Sequence, residues 1–102
     1  MKAASHRLRV PDQVAGTLRN LHPQLKKKVR VSLKMILADP HSGKALKEEL
    51  SGLRSFRVGR FRIIYRIAAG KEIEIVAIGP RESIYRETYL LLRKDTGNDE
   101  KS

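Results

Sequence analysis

Hydrophobic positions follow a helical period from Val14 to Leu37 and an alternating, strand-like one from Leu53 to Ile78. Val14, Leu18 and Leu21 recur at i, i+4 and i+7, which predicts a short amphipathic helix. His22-Pro23 interrupts it, and Pro23 suits the first position of a second helix, where its missing N–H leaves no bond unmade. Leu25, Val29, Leu33 and Ile36 form the buried stripe of that helix, with Leu37 beside it. Lys26, Lys27, Arg30 and Lys34 fall on or near its opposite side, and Asp39-Pro40 stops it. Ahead of both helices, His6 to Val10 alternates polar and apolar residues and predicts a short edge strand. Pro11-Asp12 ends that strand, with Asp12 as N-cap candidate.

The alternating half of the chain centres on two strands, Leu53 to Val58 and Phe61 to Ile67, joined by Gly59-Arg60. A Gly-X pair between β-rich runs signals a two-residue hairpin turn. That loop length sets Val58 opposite Phe61, Arg57 opposite Arg62 and Phe56 opposite Ile63. Phe56, Val58, Phe61, Ile63 and Tyr65 then share one apolar face, and Arg57 and Arg62 stand together on the other. A turn over Ala68 to Lys71 leads to a third strand, Ile73 to Ile78. A loop of either two or four residues there places Arg62 across from Ala77 and Tyr65 across from Glu74. Ile64, Ile73 and Ile75 are expected on the Arg62 face. Between the helices and the hairpin, His41 to Lys44 reads as a loop and Ala45 to Leu50 as a helical turn. Gly79-Pro80 ends the third strand, and Ser83 is a cap candidate for a last helix lined inside by Ile84, Tyr85, Thr88, Tyr89, Leu91 and Leu92. The expected fold is α+β: an N-terminal helical hairpin packed on a small, mainly antiparallel sheet of about three or four strands, with a C-terminal helix. One domain over residues 1–94 and a polar tail over 95–102 complete the expected organisation.

Composition narrows the chemistry. The 102 residues include no cysteine, which excludes disulfides, thiolate metal sites and cysteine nucleophiles. His6, His22 and His41 are scattered without metal-ligand spacing, so neither metal nor cofactor is assigned. The first residues carry no apolar run of signal-peptide type, and no stretch is long enough to cross a bilayer. The expectation is a cytoplasmic chain that does not engage membranes.

Charge points to the partner. Lysine and arginine number 22 against 11 acids, a net of +11. Six basic residues and no acid lie between Asp12 and Asp39, and again six with none between Glu49 and Glu72. One-sign blocks of this kind attract polyanions. The Arg57–Arg62 pair is the sharper signal, because like charges directly opposed on a sheet cost stability, and a phosphate between them offsets that cost. A solvated helix face accounts for Lys26-Lys27-Lys28 almost as well as phosphate contact does.

The string Leu50-x-Gly52-x-x-Ser55-Phe56-Arg57-Val58-Gly59-x-Phe61-Arg62-Ile63-Ile64-Tyr65, continued by Ile78-Gly79-x-Arg81-x-x-Ile84-Tyr85, resembles the RelE/ParE family of toxins from toxin–antitoxin pairs. The likeness runs from about Leu25 to the last helix and matches the expected order of elements. It implies a metal-independent endoribonuclease that cuts messenger RNA in the ribosomal A site through attack by the RNA's own 2′-OH. By position in the family pattern, Arg57, Arg62, Arg81 and Tyr85 are implied as the catalytic set. Guanidinium groups suit the charge that develops on a phosphorane, and Tyr85 is the remaining proton-transfer candidate. Lys26, Lys27, Arg30, Lys34, Lys44, Lys47, Arg54 and Arg60 are candidates for contact with RNA or ribosome. The lysine that some members carry two residues after Arg57 is Gly59 here, and the histidine that many carry before the last-strand arginine is Pro80. A ParE-like inhibitor of DNA gyrase and a catalytically degenerate nucleic-acid-binding member therefore stay as alternatives. Implied partners are a cognate antitoxin with an acidic, amphipathic segment, the ribosome with its message, and operator DNA through the antitoxin complex.

Overall fold

A computed structural model describes residues 6–101, with side chains to Lys94. In order, the chain forms β1 (Arg7–Arg9), α1 (Asp12–Arg19), α2 (Pro23–Ala38), β2 (Lys44–Ala45), β3 (Arg54–Val58), β4 (Phe61–Ala68), β5 (Glu72–Pro80) and α3 (Arg81–Lys101). Short 3₁₀ turns at Pro40–Ser42 and Glu48–Leu50 flank β2. The strands make one sheet in the order β1-β5-β4-β3-β2, antiparallel except for β1, which runs parallel to β5. The fold is thus the expected α+β arrangement, with five strands. Among the described residues no helix is long and apolar enough to cross a membrane.

One face of the sheet carries α1 and α2. Val14, Val29, Leu33 and Ile36 from these helices pack on Val58, Ile63, Tyr65, Ile73, Ile75 and Ile78. The other face carries α3, where Ile84 packs with Leu53, Ile64 and Ala77. Pro23 opens α2 as its sequence position requires, and the His22 ring accepts a hydrogen bond from the Gln24 N–H at 3.3 Å. At α1 the cap position is Pro11, and Asp12 is the first helical residue, where its carboxylate meets the positive end of the helix dipole. Ser83 lies inside α3 and does not cap it. The helix begins at Arg81, whose N–H donates to the Arg60 carbonyl at 2.7 Å, so the hairpin turn performs the capping.

The β3–β4 hairpin has the expected register, Val58↔Phe61, Arg57↔Arg62 and Phe56↔Ile63. Gly59 takes φ +59° at the first central position, which a side chain would resist. The β4–β5 register differs from expectation. The connection has three residues, with Gly70 at φ +74° and Lys71 at φ +60°, so Ala68 pairs with Glu72 and Arg66 with Glu74. A lysine rarely adopts that backbone, which is why the loop looked shorter or longer by one. A bulge then places one extra residue, Val76, between the partners of Ile64 and Tyr65. Tyr65 consequently faces Ile75, and Arg62 faces Gly79. The bulge also reverses the alternation, so that Ile73, Ile75 and Ile78 all enter the α1–α2 core. Ile73 and Ile75 therefore lie on the face away from Arg62, and Ala77 joins Ile64 on the face beside it.

Candidate functional site

The site assembles where the β3–β4 hairpin, the end of β5 and the start of α3 meet. Arg57 and Arg62 are direct cross-strand partners, so they share a face, and it is the face that α3 covers. The Arg57 side chain is exposed and makes no hydrogen bond or ion pair among the described residues. Arg62 is half-buried, and its Nη1 donates to the carbonyls of Gly59 at 3.0 Å and Phe61 at 2.9 Å. Both bonds use one nitrogen. The guanidinium is thereby anchored to the turn, while Nε and Nη2 have no protein acceptor among the described residues. Carbonyl dipoles beside Arg62 also offset part of its repulsion from Arg57. Across the other ladder, Gly79 gives Arg62 a neighbour without a side chain.

Arg81 reaches this region through the backbone. Phe61 pairs with Pro80, and the Arg81 N–H bonds the hairpin turn at Arg60, so the first turn of α3 abuts Gly59-Arg60. Arg81 is exposed, with no side-chain partner among the described residues. Tyr85 follows at i+4, on the same side of the helix. Its hydroxyl lies 2.9 Å from Ser55 Oγ, which ties α3 to β3 directly over the Arg57 strand. Ser55 was not singled out as a site residue by its sequence context. The available signal was its spacing, two residues before Arg57 and hence on the same face.

Gly79 makes the approach of α3 possible. A Cβ there would lie 2.8 Å from Ile84 Cδ1, too close for carbon atoms without movement. Lys44 is also on this face, because β2 pairs it with Ser55. Lys47 sits in the following connection, whose Leu46 and Leu50 pack on the α3 side, and Arg60 is exposed in the hairpin turn. These residues frame a surface that is cationic at the hairpin end and apolar beneath α3.

The remaining candidates lie elsewhere. Arg54 pairs with Tyr65 and so faces the α1–α2 side, where Nε donates to the Gly43 carbonyl at 3.1 Å and Nη2 to that of His41 at 3.3 Å. Tyr65, fully buried, donates to the Pro40 carbonyl at 2.7 Å and accepts the Gly43 N–H at 3.0 Å. Together the two side chains pin the loop between α2 and β2. Lys26 donates to the Arg19 carbonyl at 3.1 Å and so serves the end of α1. Lys27 lines a shallow groove with Lys28, Val31, Ser32 and Val58, and Arg30 and Lys34 are exposed on α2. All of these lie on the α1–α2 side of the sheet, across it from Arg57 and Arg62.

Comparison with known proteins fits this architecture. Residues 2–85 match the family described as the ParE toxin of the type II toxin–antitoxin system parDE. A toxin named RelE from Mycobacterium tuberculosis is 42% identical over 53 residues, a segment that is 50% of this chain and 55% of that protein. Thus the match spans little more than half the length of that relative. The toxin–antitoxin complex RelBE2 from Mycobacterium tuberculosis contains a chain 26% identical, with a TM-score of 0.67, covering 76% of this chain and 99% of that one. The isolated RelE toxin of Escherichia coli shares the fold at 15% identity and a TM-score of 0.65, over 86% of this chain and 99% of that one. The chain belongs to the ParE toxin family of type II toxin–antitoxin systems, within the wider RelE/ParE group.

Proposed function

We propose that this toxin is a ribosome-dependent endoribonuclease that cleaves messenger RNA in the A site and arrests translation. The observation that supports the reading is the open cationic face: Arg57 and Arg62 opposed on adjacent strands, beside the first turns of α3 that carry Arg81 and Tyr85. A structural role alone gives no reason to oppose two arginines and leave both with free N–H groups. Attack of the 2′-oxygen on phosphorus, its proton passing to water, forms a 2′,3′-cyclic phosphate and expels the 5′-oxygen, with negative charge growing on the phosphorane. Arg62, held rigid by the turn carbonyls, and the unpaired Arg57 and Arg81 stabilise that charge. Tyr85 passes a proton to the leaving oxygen, and Lys44 adds a cation beside Ser55. None of these steps uses a metal or cofactor.

An antitoxin partner is part of the same proposal. Relatives in solved structures include toxin–antitoxin complexes, and a net charge of +11 favours an acidic segment. Cytoplasmic action follows from the ribosomal target, and operator DNA would be reached through the antitoxin. Toe-printing of ribosome-bound message after induction tests the activity. Cuts positioned relative to the codon in the A site are expected. Intact message accompanied by stabilised gyrase–DNA breaks would replace this reading with gyrase inhibition.

A further inference from the structure

We propose that Ser55 is the positioning residue that sets the Tyr85 hydroxyl over the scissile phosphate. Its catalytic consequence rests on the ribonuclease reading above; the positioning itself does not. Ser55 is flanked in the sheet by Ile64 of β4 and Lys44 of β2, so its side chain points to the α3 face. It is only 7% exposed, yet its hydroxyl is spent on one partner, the Tyr85 oxygen 2.9 Å away. Tyr85 is only partly buried, packed like Leu46, Leu50 and Val76 against the edge of the cluster beneath α3. Among the described residues, Ser55 is the polar group that holds its hydroxyl against β3.

The choice of serine has a chemical reason. A hydroxyl both donates and accepts, and rotates about one bond to change between the two. With substrate in place Ser55 donates to the Tyr85 oxygen, which leaves the single phenol O–H free to point at the departing 5′-oxygen. As that proton is given up the P–O bond breaks and the phenolate keeps the hydrogen bond from Ser55. Solvent, which took up the 2′-OH proton, then returns one to Tyr85, and in the free protein Ser55 can rotate to accept. Both states are satisfied with the heavy atoms in place, in a setting where an unpaired oxygen is costly. An alanine offers neither bond.

The test compares wild-type protein with Ser55→Ala and Ser55→Thr, all as the full chain, by two readouts. In single-turnover cleavage of ribosome-bound message, Ser55→Ala is expected to lose about tenfold or more in rate at saturating ribosomes. The ribosome concentration giving half the maximal rate should move by less than about twofold, as for a group acting after binding. Ser55→Thr, which keeps the hydroxyl, should recover to within about threefold of wild type. The second readout needs no activity: aromatic NMR contacts between the Tyr85 ring and β3 should vanish in Ser55→Ala, while those between Ile84 and Gly79 persist. A wild-type cleavage rate in Ser55→Ala, or a Tyr85 ring held against β3 without the serine hydroxyl, overturns the proposal. If wild-type protein cuts no message, the ribonuclease reading fails separately, and the ring contacts alone decide whether Ser55 positions Tyr85.

Discussion

Gly79→Ala is the substitution that most sharply tests how the site is held together. Its new Cβ would meet Ile84 Cδ1 at 2.8 Å, whereas carbon pairs rest at about 3.5–4.0 Å. Roughly 1 Å must therefore be found by tilting α3 or by turning the Ile84 side chain. Ile84 is 1% exposed and packed with Leu53, Ile64 and Ala77, so it has little room to turn. Overpacking of this kind costs about 1–3 kcal/mol. For a domain of this size each kcal/mol lowers the melting temperature by roughly 4–8 °C. Ile84→Val deletes the clashing Cδ1 and by itself costs about 0.5–1.5 kcal/mol. The double variant should then be more stable than the sum of the two single effects by about 1 kcal/mol, since the sites touch. Thermal melts of the four proteins, with the Tyr85 ring contacts to β3 followed in parallel, complete the cycle. A melting temperature unchanged in Gly79→Ala, or strictly additive losses in the double variant, would refute the claim that glycine sets the seat of α3.

Other substitutions separate structural from incidental contacts. Tyr65→Phe removes the hydroxyl that joins Pro40 and Gly43, leaving a buried carbonyl and N–H unpaired; a loss of about 1–3 kcal/mol is expected in urea titration. Arg66→Ala breaks the 2.7 Å ion pair with Glu74, but the arginine is 55% exposed, so a change below about 1 kcal/mol that shrinks with added salt is expected in the same titration.

Legibility of the fold depended on how local each constraint was. The hairpin register could be read because Gly59-Arg60 is a two-residue turn with a glycine where positive φ is needed. The β4–β5 register could not, because Lys71 occupies a conformation that its side chain does not advertise and Val76 forms a bulge. Those two departures moved Ile73 and Ile75 to the helical layer and made Gly79, not Ala77, the small neighbour of Arg62. Strand β2 is two residues long and carries no periodic signal, so the placement of Lys44 beside Ser55 was hidden. Likewise Arg54 looked free in sequence, and only the course of the distant loop shows its guanidinium bound to the His41 and Gly43 carbonyls. Ser55 was within reach of strand alternation. What the sequence lacked was any hint that a helix thirty residues on would bring a hydroxyl to meet it.

Cleavage of ribosome-bound message by an Arg57→Glu/Arg81→Glu variant tests the central claim most directly. Both side chains are exposed and without partners among the described residues, so the fold should persist, as circular dichroism can check. If the guanidinium groups of Arg57 and Arg81 hold the scissile phosphate, codon-positioned cuts vanish from the toe-print and toxicity is lost. Cuts of wild-type position and rate from the folded double variant would contradict the account.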